Sequence, residues 1–256
     1  MAVIGQCRLC LEPAAILRNS HFLPKGVYKK LRDQTRENPN PWKLTPRTAV
    51  QTSKHKTAPL LCQDCEQRFS KNGENWVLAH CLQEDGTFPL WSILASTLAD
   101  EWPNNPTRVY YASRIPEIDI SALAYFAASM FWRGSIYPWN RDGSVPIKLG
   151  PFQEPLRQYL MGLAEFPRSC SLMIAVREAR GANSLTHDPI GGRKGGSHLY
   201  TFPMPGLGFS MAVSNNLSAK QREICFVHGP GNPIVATTIV DKLIEDDVIK
   251  RFSKIF

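Results

Sequence analysis

No stretch of this 256-residue chain is apolar enough to cross a membrane. The best candidate, Ile118 to Trp132, covers only about 15 residues and contains Asp119, whereas a span needs about 20 apolar residues. The first ten residues, MAVIGQCRLC, also lack the basic start and the apolar run of a secretion signal. We therefore expect a cytoplasmic protein with no membrane partner, and we interpret the apolar stretch as a buried helix.

The seven cysteines are odd in number, so they cannot all be paired in disulfides, and the cytosol keeps thiols reduced. Four of them form two C-x-x-C pairs, Cys7 with Cys10 and Cys62 with Cys65. Two such pairs supply the four thiolates that structural zinc prefers. A redox dithiol would need one pair only, and the spacing is not that of a ferredoxin cluster. The sequence thus predicts a single structural Zn²⁺ around which residues 1 to about 75 fold.

Acidic residues are scarce where the cysteines lie. Residues 1–75 hold 13 Lys and Arg against 6 Asp and Glu, a net charge of +7 within a chain total of +8. Residues 76–256 carry the remaining +1. Because the positive charge coincides with the cysteine module, we expect a polyanion partner, with a basic face kept for solubility as the alternative.

The rest of the chain has the pattern of an α+β body. After Cys65 the sequence indicates a helix in two pieces, broken at Asn72-Gly73, and Ile120 to Arg133 is a helix that is apolar on nearly every side. Trp132 and Arg133, at the end of that helix, are given no chemical role. The last third changes to period two, which predicts strands, and closes with helical spacing. The predicted strands are Ser171–Arg177, His198–Met204, Phe209–Val213 and Ile224–His228, and the closing helix is Asp241–Phe256.

A histidine motif lies between the two cysteine pairs. Residues 20–25 are S-H-F-L-P-K, and residues 60–66 are L-L-C-x-x-C-E. With the first C-x-x-C, this order resembles the zinc-stapled HNH endonucleases, the ββα-metal group, over about residues 5–75. The resemblance implies a small zinc-stabilised module of treble-clef or ββα-metal-like form over residues 1–75, followed by the α+β body over residues 76–256.

The resemblance also implies roles for individual residues. In that family a histidine in the first strand activates water, and the helix after the last knuckle supplies ligands for a divalent ion at the scissile phosphate. The matching positions are His21 as the general base and Glu66, with Glu74 eight residues later, as ligands for Mg²⁺ or Mn²⁺. The basic residues predicted to hold nucleic acid are Lys25, Lys29, Lys30, Lys54 and Lys56.

Three positions depart from the family's pattern. Asn19-Ser20 stands where an acidic or histidine ligand usually precedes the base, and Glu66 stands where histidine is usual. His55 and Lys54 lie where an asparagine is common, and we expect His55 to be solvated. Structural interpretations of two residues stay open. His21 could pack or cap inside the module, or be a fifth potential zinc ligand in place of a cysteine, and Glu66 could cap its helix, where the dipole favours a carboxylate.

The predicted function is hydrolysis of phosphodiester bonds in DNA by an HNH-like, metal-dependent endonuclease, and the resemblance implies a place in bacterial restriction or phage defence. The alternative is an inactive zinc module that binds nucleic acid or a protein. The near-neutral body is assigned to specificity, regulation or contact with a protein partner. The glycine-rich segment Gly191 to His198 is predicted to be a hairpin tip.

Overall fold

The computed structural model describes residues 2–32, 37–44, 49–101, 108–140, 143–177, 185–186, 189–194, 196–204 and 206–237. The predicted closing helix, Asp241–Phe256, lies outside these residues. Helices and strands are mixed along the described chain, which confirms the α+β class. None of the helices in these ranges combines the length and the apolar character needed to cross a bilayer.

The strands and helices follow one another in a mixed order. The strands are β1 (Val3–Gly5), β2 (Ala15–His21), β3 (Trp42–Leu44), β4 (Ala49–Gln51), β5 (Thr57–Cys62), β6 (Asp100–Glu101), β7 (Arg108–Tyr111), β8 (Cys170–Arg177), β9 (Leu185–Thr186), β10 (Ile190–Lys194), β11 (Ser197–Met204), β12 (Leu207–Val213) and β13 (Pro233–Thr237). The α-helices are α1 (Lys25–Lys30), α2 (Gln63–Phe69), α3 (Asn75–His80), α4 (Pro89–Ala95), α5 (Ile120–Ile136), α6 (Gln153–Met161) and α7 (Ala219–Glu223).

The described strands form three sheets. The first is the antiparallel sheet β1-β2-β5, which carries the histidine motif. The second is a seven-stranded sheet in the order β10-β11-β12-β8-β13-β7-β6, in which β13 pairs with β8 in parallel and the other neighbours are antiparallel. The third is a small sheet in the order β4-β3-β9.

The strands predicted for the last third are confirmed at β8, β11 and β12, within one or two residues at each end. The glycine-rich segment forms the hairpin of β10 and β11, as predicted. The strand predicted over Ile224–His228 is wrong. A capping box between Ser218 and Gln221 starts α7, and the chain then turns so that Phe226 is buried and its amide donates to the carbonyl of Leu172. This segment is apolar because Phe226 is buried next to β8, and not because the segment pairs as a strand.

A β-β-α unit holds the motif residues. Strands β2 and β5 are antiparallel, with a register shift between Arg18 and Asn19, and α2 begins directly after β5. Cys62 is the last residue of β5, and Cys65 lies in the first turn of α2. The second cysteine pair therefore spans the junction of strand and helix.

The helix after the second cysteine pair does not break at Asn72-Gly73 as predicted. It continues from α2 into α3 through a π-helical turn, Ser70–Glu74. Gly73 lies against α5, where a Cβ atom would be only 2.8 Å from the backbone nitrogen of Phe126. The glycine thus permits close contact between the two helices.

We predict that Gly73→Ala lowers stability by about 1–3 kcal/mol, because backbone atoms of α5 cannot move aside for a methyl group. Urea unfolding of the variant measures this loss. Gly192→Ala is the matched control, since a Cβ atom there has no neighbour within 4 Å. Equal stability of the two variants would contradict the close packing.

Helix α5 lies at the centre of the molecule. Its residues from Ala122 to Ser135 are all buried, as its apolar sequence predicts. One side contacts the π turn through Gly73, and another reaches the large sheet, where the rings of Phe126 and Phe209 lie 5.6 Å apart. The described buried residues form one continuous core from the cysteine knuckle to this sheet. The domain boundary at residue 75 stays a prediction.

Candidate metal centre and neighbouring catalytic cluster

The four paired cysteines converge on one point. The Sγ atoms of Cys7, Cys10, Cys62 and Cys65 all lie within 4.8 Å of one another, and none of the four is in a disulfide. The Sγ atoms of Cys10 and Cys62 are 3.8 Å apart. Tetrahedral thiolates about 2.3 Å from a metal ion lie about 3.8 Å from each other. The cluster therefore has the donor atoms and the spacing to hold a metal ion.

Backbone hydrogen bonds shape the knuckle. Leu11 has a left-handed φ of 67°, and its amide donates to the carbonyl of Cys7 at 2.9 Å, which closes the turn of the first pair. The amide of Cys62 donates to the Sγ atom of Cys7 at 3.4 Å. The guanidinium of Arg157 in α6 donates to the carbonyl of Leu9 at 2.6 Å. The large body thus fixes the knuckle from outside.

The thiols compete for ionisation. Hydrogen bonds from Cys65 and from the amide of Cys62 lower the pKa of Cys7 to about 4. The same bond to Cys7 and burial raise the pKa of Cys65, and burial raises that of Cys10. Cys7 therefore ionises readily, and a bound cation would favour ionisation of Cys10 and Cys65.

Glu74 lies within electrostatic range of both His21 and Glu66, although among the described residues only the four cysteines form a group of three or more ligands close enough to hold one ion. His21 ends β2, Glu66 lies in the first turn of α2, and Glu74 ends the π turn. Burial is the largest effect on both His21 and Glu66, lowering the pKa of His21 and raising that of Glu66, and the negative charge of Glu74 acts on each of them in the upward direction. The cluster adjoins the cysteines, because Glu66 directly follows Cys65.

The π turn puts the two carboxylates on the same side of the helix. Eight residues of α-helix, at about 100° each, would leave them about 80° apart. A π turn accommodates one extra residue in the helix, so the rotation corresponds to about seven α-helical steps and leaves about 20° between them. Glu66 and Glu74 therefore project to the same face.

Ser20 is a buried residue of β2 that contacts Glu66. It is 2% exposed, and its hydroxyl donates to Oε1 of Glu66 while accepting from the amide of Leu61 at 3.2 Å. The residue thus orients Glu66 from β2. Burial raises the pKa of the Glu66 carboxyl above its ordinary value, while Arg133 and the bond from Ser20 act in the opposite direction.

Arg133, to which the sequence interpretation gave no role, lies inside the cluster. Its side chain is 3% exposed, and its guanidinium donates to Oε1 of Glu74 and, at 3.2 Å, to the carbonyl of His21. The guanidinium also lies 4.4 Å from the ring centroid of Phe69. The sequence could have indicated this residue, because Arg133 is a charged residue in a helix that is otherwise apolar on every side, and a buried charge needs a partner.

We predict that Arg133→Met destabilises the protein by about 3–5 kcal/mol, because it leaves the Glu74 carboxylate in a poorly solvated place without its cation. Equilibrium unfolding in urea measures this. A double variant that adds Glu74→Gln removes the unpaired charge and is expected to regain part of the loss. If the double variant is less stable by the sum of both single losses, the pair is not coupled.

His55 belongs to this neighbourhood and is half-buried, not solvated as predicted. Its ring centroid lies 5.4 Å from that of His21, and it stacks on Tyr28 at 3.9 Å with an interplanar angle of 10°. Burial lowers the pKa of both histidines, and Lys25 acts in the same direction on both. His21 is thus held in the neutral form that a general base needs.

The lysines predicted to hold nucleic acid differ in exposure. Lys25, Lys29 and Lys54 are exposed. Lys30 donates to the side chain of Gln83, and the Nζ atom of Lys56 lies 5.8 Å from the ring centroid of Phe22. The binding role of all five residues stays a prediction, and the exposed three are the most accessible to a polyanion.

No protein-family model, curated protein or solved structure matches this chain. A function must therefore be argued from its own residues: four thiols arranged to hold a metal ion, and beside them a neutral imidazole, two carboxylates and a buried guanidinium.

Proposed function

We propose that this protein is an HNH-like, metal-dependent endonuclease that hydrolyses phosphodiester bonds in DNA. The observation that carries the proposal is the placement of His21 at the end of β2 with Glu66 and Glu74 on one face of the helix that follows. An imidazole beside two carboxylates has the groups needed for metal-assisted hydrolysis. A role in bacterial restriction or phage defence is proposed from the resemblance alone.

Zinc is the ion we propose for the four cysteines. Four thiolates with tetrahedral spacing suit Zn²⁺, and a shell of four protein ligands leaves no open position, as in structural sites. The ion would join the knuckle to the junction of β5 and α2. This fixes the strand that ends in His21 relative to the helix that carries both carboxylates.

We propose that a divalent ion, Mg²⁺ or Mn²⁺, binds at the carboxylate face. Glu66 and Glu74 offer the hard oxygen donors that such ions prefer. When bound there, the ion would neutralise charge that develops on the phosphate. The net charge of these groups is consistent with a bound divalent cation. With His21 neutral, the two carboxylates and Arg133 sum to −1, and a divalent cation changes this sum to +1. A site of +1 complements one phosphodiester group.

His21, Arg133 and Lys25 would each have a separate role in the reaction. The imidazole of His21 accepts a proton from water as the water oxygen attacks phosphorus, the bond to the leaving sugar oxygen breaks, and that oxygen takes a proton from solvent. General-base catalysis of this kind contributes about 10²–10⁴-fold. Arg133 holds the backbone carbonyl of His21 and the carboxylate of Glu74, so it positions both. Lys25 adds a positive charge close enough to act on His21.

We predict that cleavage keeps its full rate from neutral pH to below pH 6.5 and falls at lower pH. Burial, Lys25 and Arg133 together lower the pKa of His21, so the ring stays neutral to a lower pH than a free imidazole. A bound cation would shift this pKa further in the same direction. A single-turnover pH profile at constant ionic strength measures the acid limb. An acid limb centred above pH 6.5 would contradict His21 as the base.

Binding without catalysis is the second candidate, and one observation favours it. Oε1 of Glu66 already accepts from Ser20, and Oε1 of Glu74 already accepts from Arg133, so each carboxylate has one oxygen engaged within the protein. A carboxylate pair satisfied in this way is also what an inactive descendant of a nuclease would keep for stability.

Plasmid cleavage distinguishes the two candidates. Zinc-loaded protein is incubated with supercoiled plasmid with Mg²⁺, with Mn²⁺ and with no added divalent ion. The nuclease proposal predicts nicked and linear products only in the samples with added ion. A retarded plasmid with no nicking in either ion supports the binding module instead.

A further inference from the structure

A basic cavity lies near His21, between α1 and the chain that leads into β5. Its volume is about 170 Å³. Lys25, Lys29 and Arg32 line one part of it, and Tyr28 and His55 another. His55 connects the two places, since its ring centroid is 5.4 Å from that of His21.

The cavity is chemically suited to an anion with an apolar part. Three cationic side chains line it, and none of the described residues around it is acidic. Cations at the mouth of a low-dielectric cavity focus a positive potential. The stems of the two lysines, the ring of Tyr28 and Pro41 provide apolar wall.

The aromatic pair indicates what the apolar part is. Tyr28 and His55 stack on each other at 3.9 Å with an interplanar angle of 10°, which fixes both rings in the wall of the cavity. Stacking surfaces flanked by cations are typical of proteins that bind single-stranded nucleic acid. The volume of the cavity indicates how large a ring it can hold. A cavity of about 150 Å³ accepts a benzene ring. A cavity of 170 Å³ is therefore large enough to admit one base ring.

We infer that this cavity binds one unpaired nucleotide of the nucleic-acid strand, next to the phosphate that is cleaved. The base lies against the Tyr28–His55 pair, and the phosphate of the nucleotide contacts Lys25, Lys29 and Arg32. Bases within a duplex are paired and stacked, so a nucleotide can enter only where the strand is single or the base is extruded. The inference builds on the proposed function and restricts its substrate to DNA that is single-stranded or locally unpaired.

Fluorescence anisotropy with labelled oligonucleotides tests the inference. The probes are a dT12 strand and a 12-base-pair duplex, measured with zinc-loaded protein and no added Mg²⁺ or Mn²⁺ so that neither is cut. The inference predicts that dT12 binds about tenfold more tightly than the duplex at the same salt, a difference that stacking of one base accounts for.

Two variants and a matched control locate the site. Lys29→Ala and His55→Ala are each expected to weaken binding of dT12 by about fivefold or more, through loss of a phosphate contact and of stacking respectively. Lys71→Ala removes an equally exposed lysine outside the cavity and is expected to change binding by less than about twofold. Lys29 is exposed, so its variant tests the site even if His55→Ala folds poorly.

The outcomes separate this inference from the nuclease proposal. Equal effects of Lys29→Ala and Lys71→Ala, or equal affinity for dT12 and duplex, overturn the cavity whether or not plasmid is cleaved. The predicted binding pattern without cleavage in Mg²⁺ or Mn²⁺ supports the cavity and counts against the nuclease.

Discussion

A Cys62→Ser variant will lose its zinc and the folded state of residues 1–75. Cys62 joins β5 to α2, and its Sγ atom is 3.8 Å from that of Cys10. Binding of structural zinc by four thiolates contributes about 10 kcal/mol or more to folding, which is comparable with the whole stability of a domain at about 5–15 kcal/mol. We expect bound zinc to fall from one ion per chain to near zero, with a matching loss of ordered amide signals from β2, β5 and α2.

Cys81→Ser is the matched control for this variant. Cys81 is fully buried but lies outside the cluster, so the same chemical change there costs only about 1–3 kcal/mol for a buried hydroxyl. The control is expected to keep one zinc ion per chain. Metal analysis by mass spectrometry of both variants decides the matter: a full zinc content in Cys62→Ser would show that the ion is held elsewhere.

A His21→Ala variant will lose about 10²–10⁴-fold in the rate of plasmid cleavage, because no base then accepts the proton of the attacking water. Its zinc content and its unfolding midpoint will change little. His21 is only half-buried at the end of β2, and the bond from Arg133 goes to its backbone carbonyl, which alanine keeps. Loss of rate with retained fold is the signature of a chemical role.

His80→Ala provides the comparison for His21→Ala. His80 is also a half-buried histidine, but it stacks on Trp76 at 4.0 Å and lies in α3, outside the cluster. The His80→Ala variant should cleave plasmid at the wild-type rate. If His21→Ala and His80→Ala cleave equally well, His21 is not the base, and His21 is then better explained as a packing residue.

Short-range sequence patterns carried most of the correct predictions. The C-x-x-C spacing fixes each pair of thiols locally. The convergence of Cys7, Cys10, Cys62 and Cys65 was predicted from these two pairs because structural zinc prefers four thiolates. The alternation of apolar residues gave β8, β11 and β12, because a strand in a packed sheet must bury one or both faces.

Features that depend on contacts between distant residues could not be predicted in this way. The π turn contains Gly73, which packs on Phe126 of α5, whereas Asn72-Gly73 in the sequence alone indicates a break just as well. Arg133 joins the cluster across 59 residues to Glu74, and no local pattern marks that pairing. The polar, basic neighbours of His55 in the sequence predict a solvated side chain, whereas in the structure the ring of Tyr28 covers it.

Anomalous diffraction from crystals of the zinc-loaded protein soaked in Mn²⁺ tests the central claim, a second divalent-cation site beside His21. Data collected above and below the manganese and zinc absorption edges identify each ion. We predict zinc among the four cysteine sulfur atoms and manganese on carboxylate oxygens of Glu66 and Glu74. Zinc at the cysteines with no manganese on either glutamate would contradict the claim and leave a binding module.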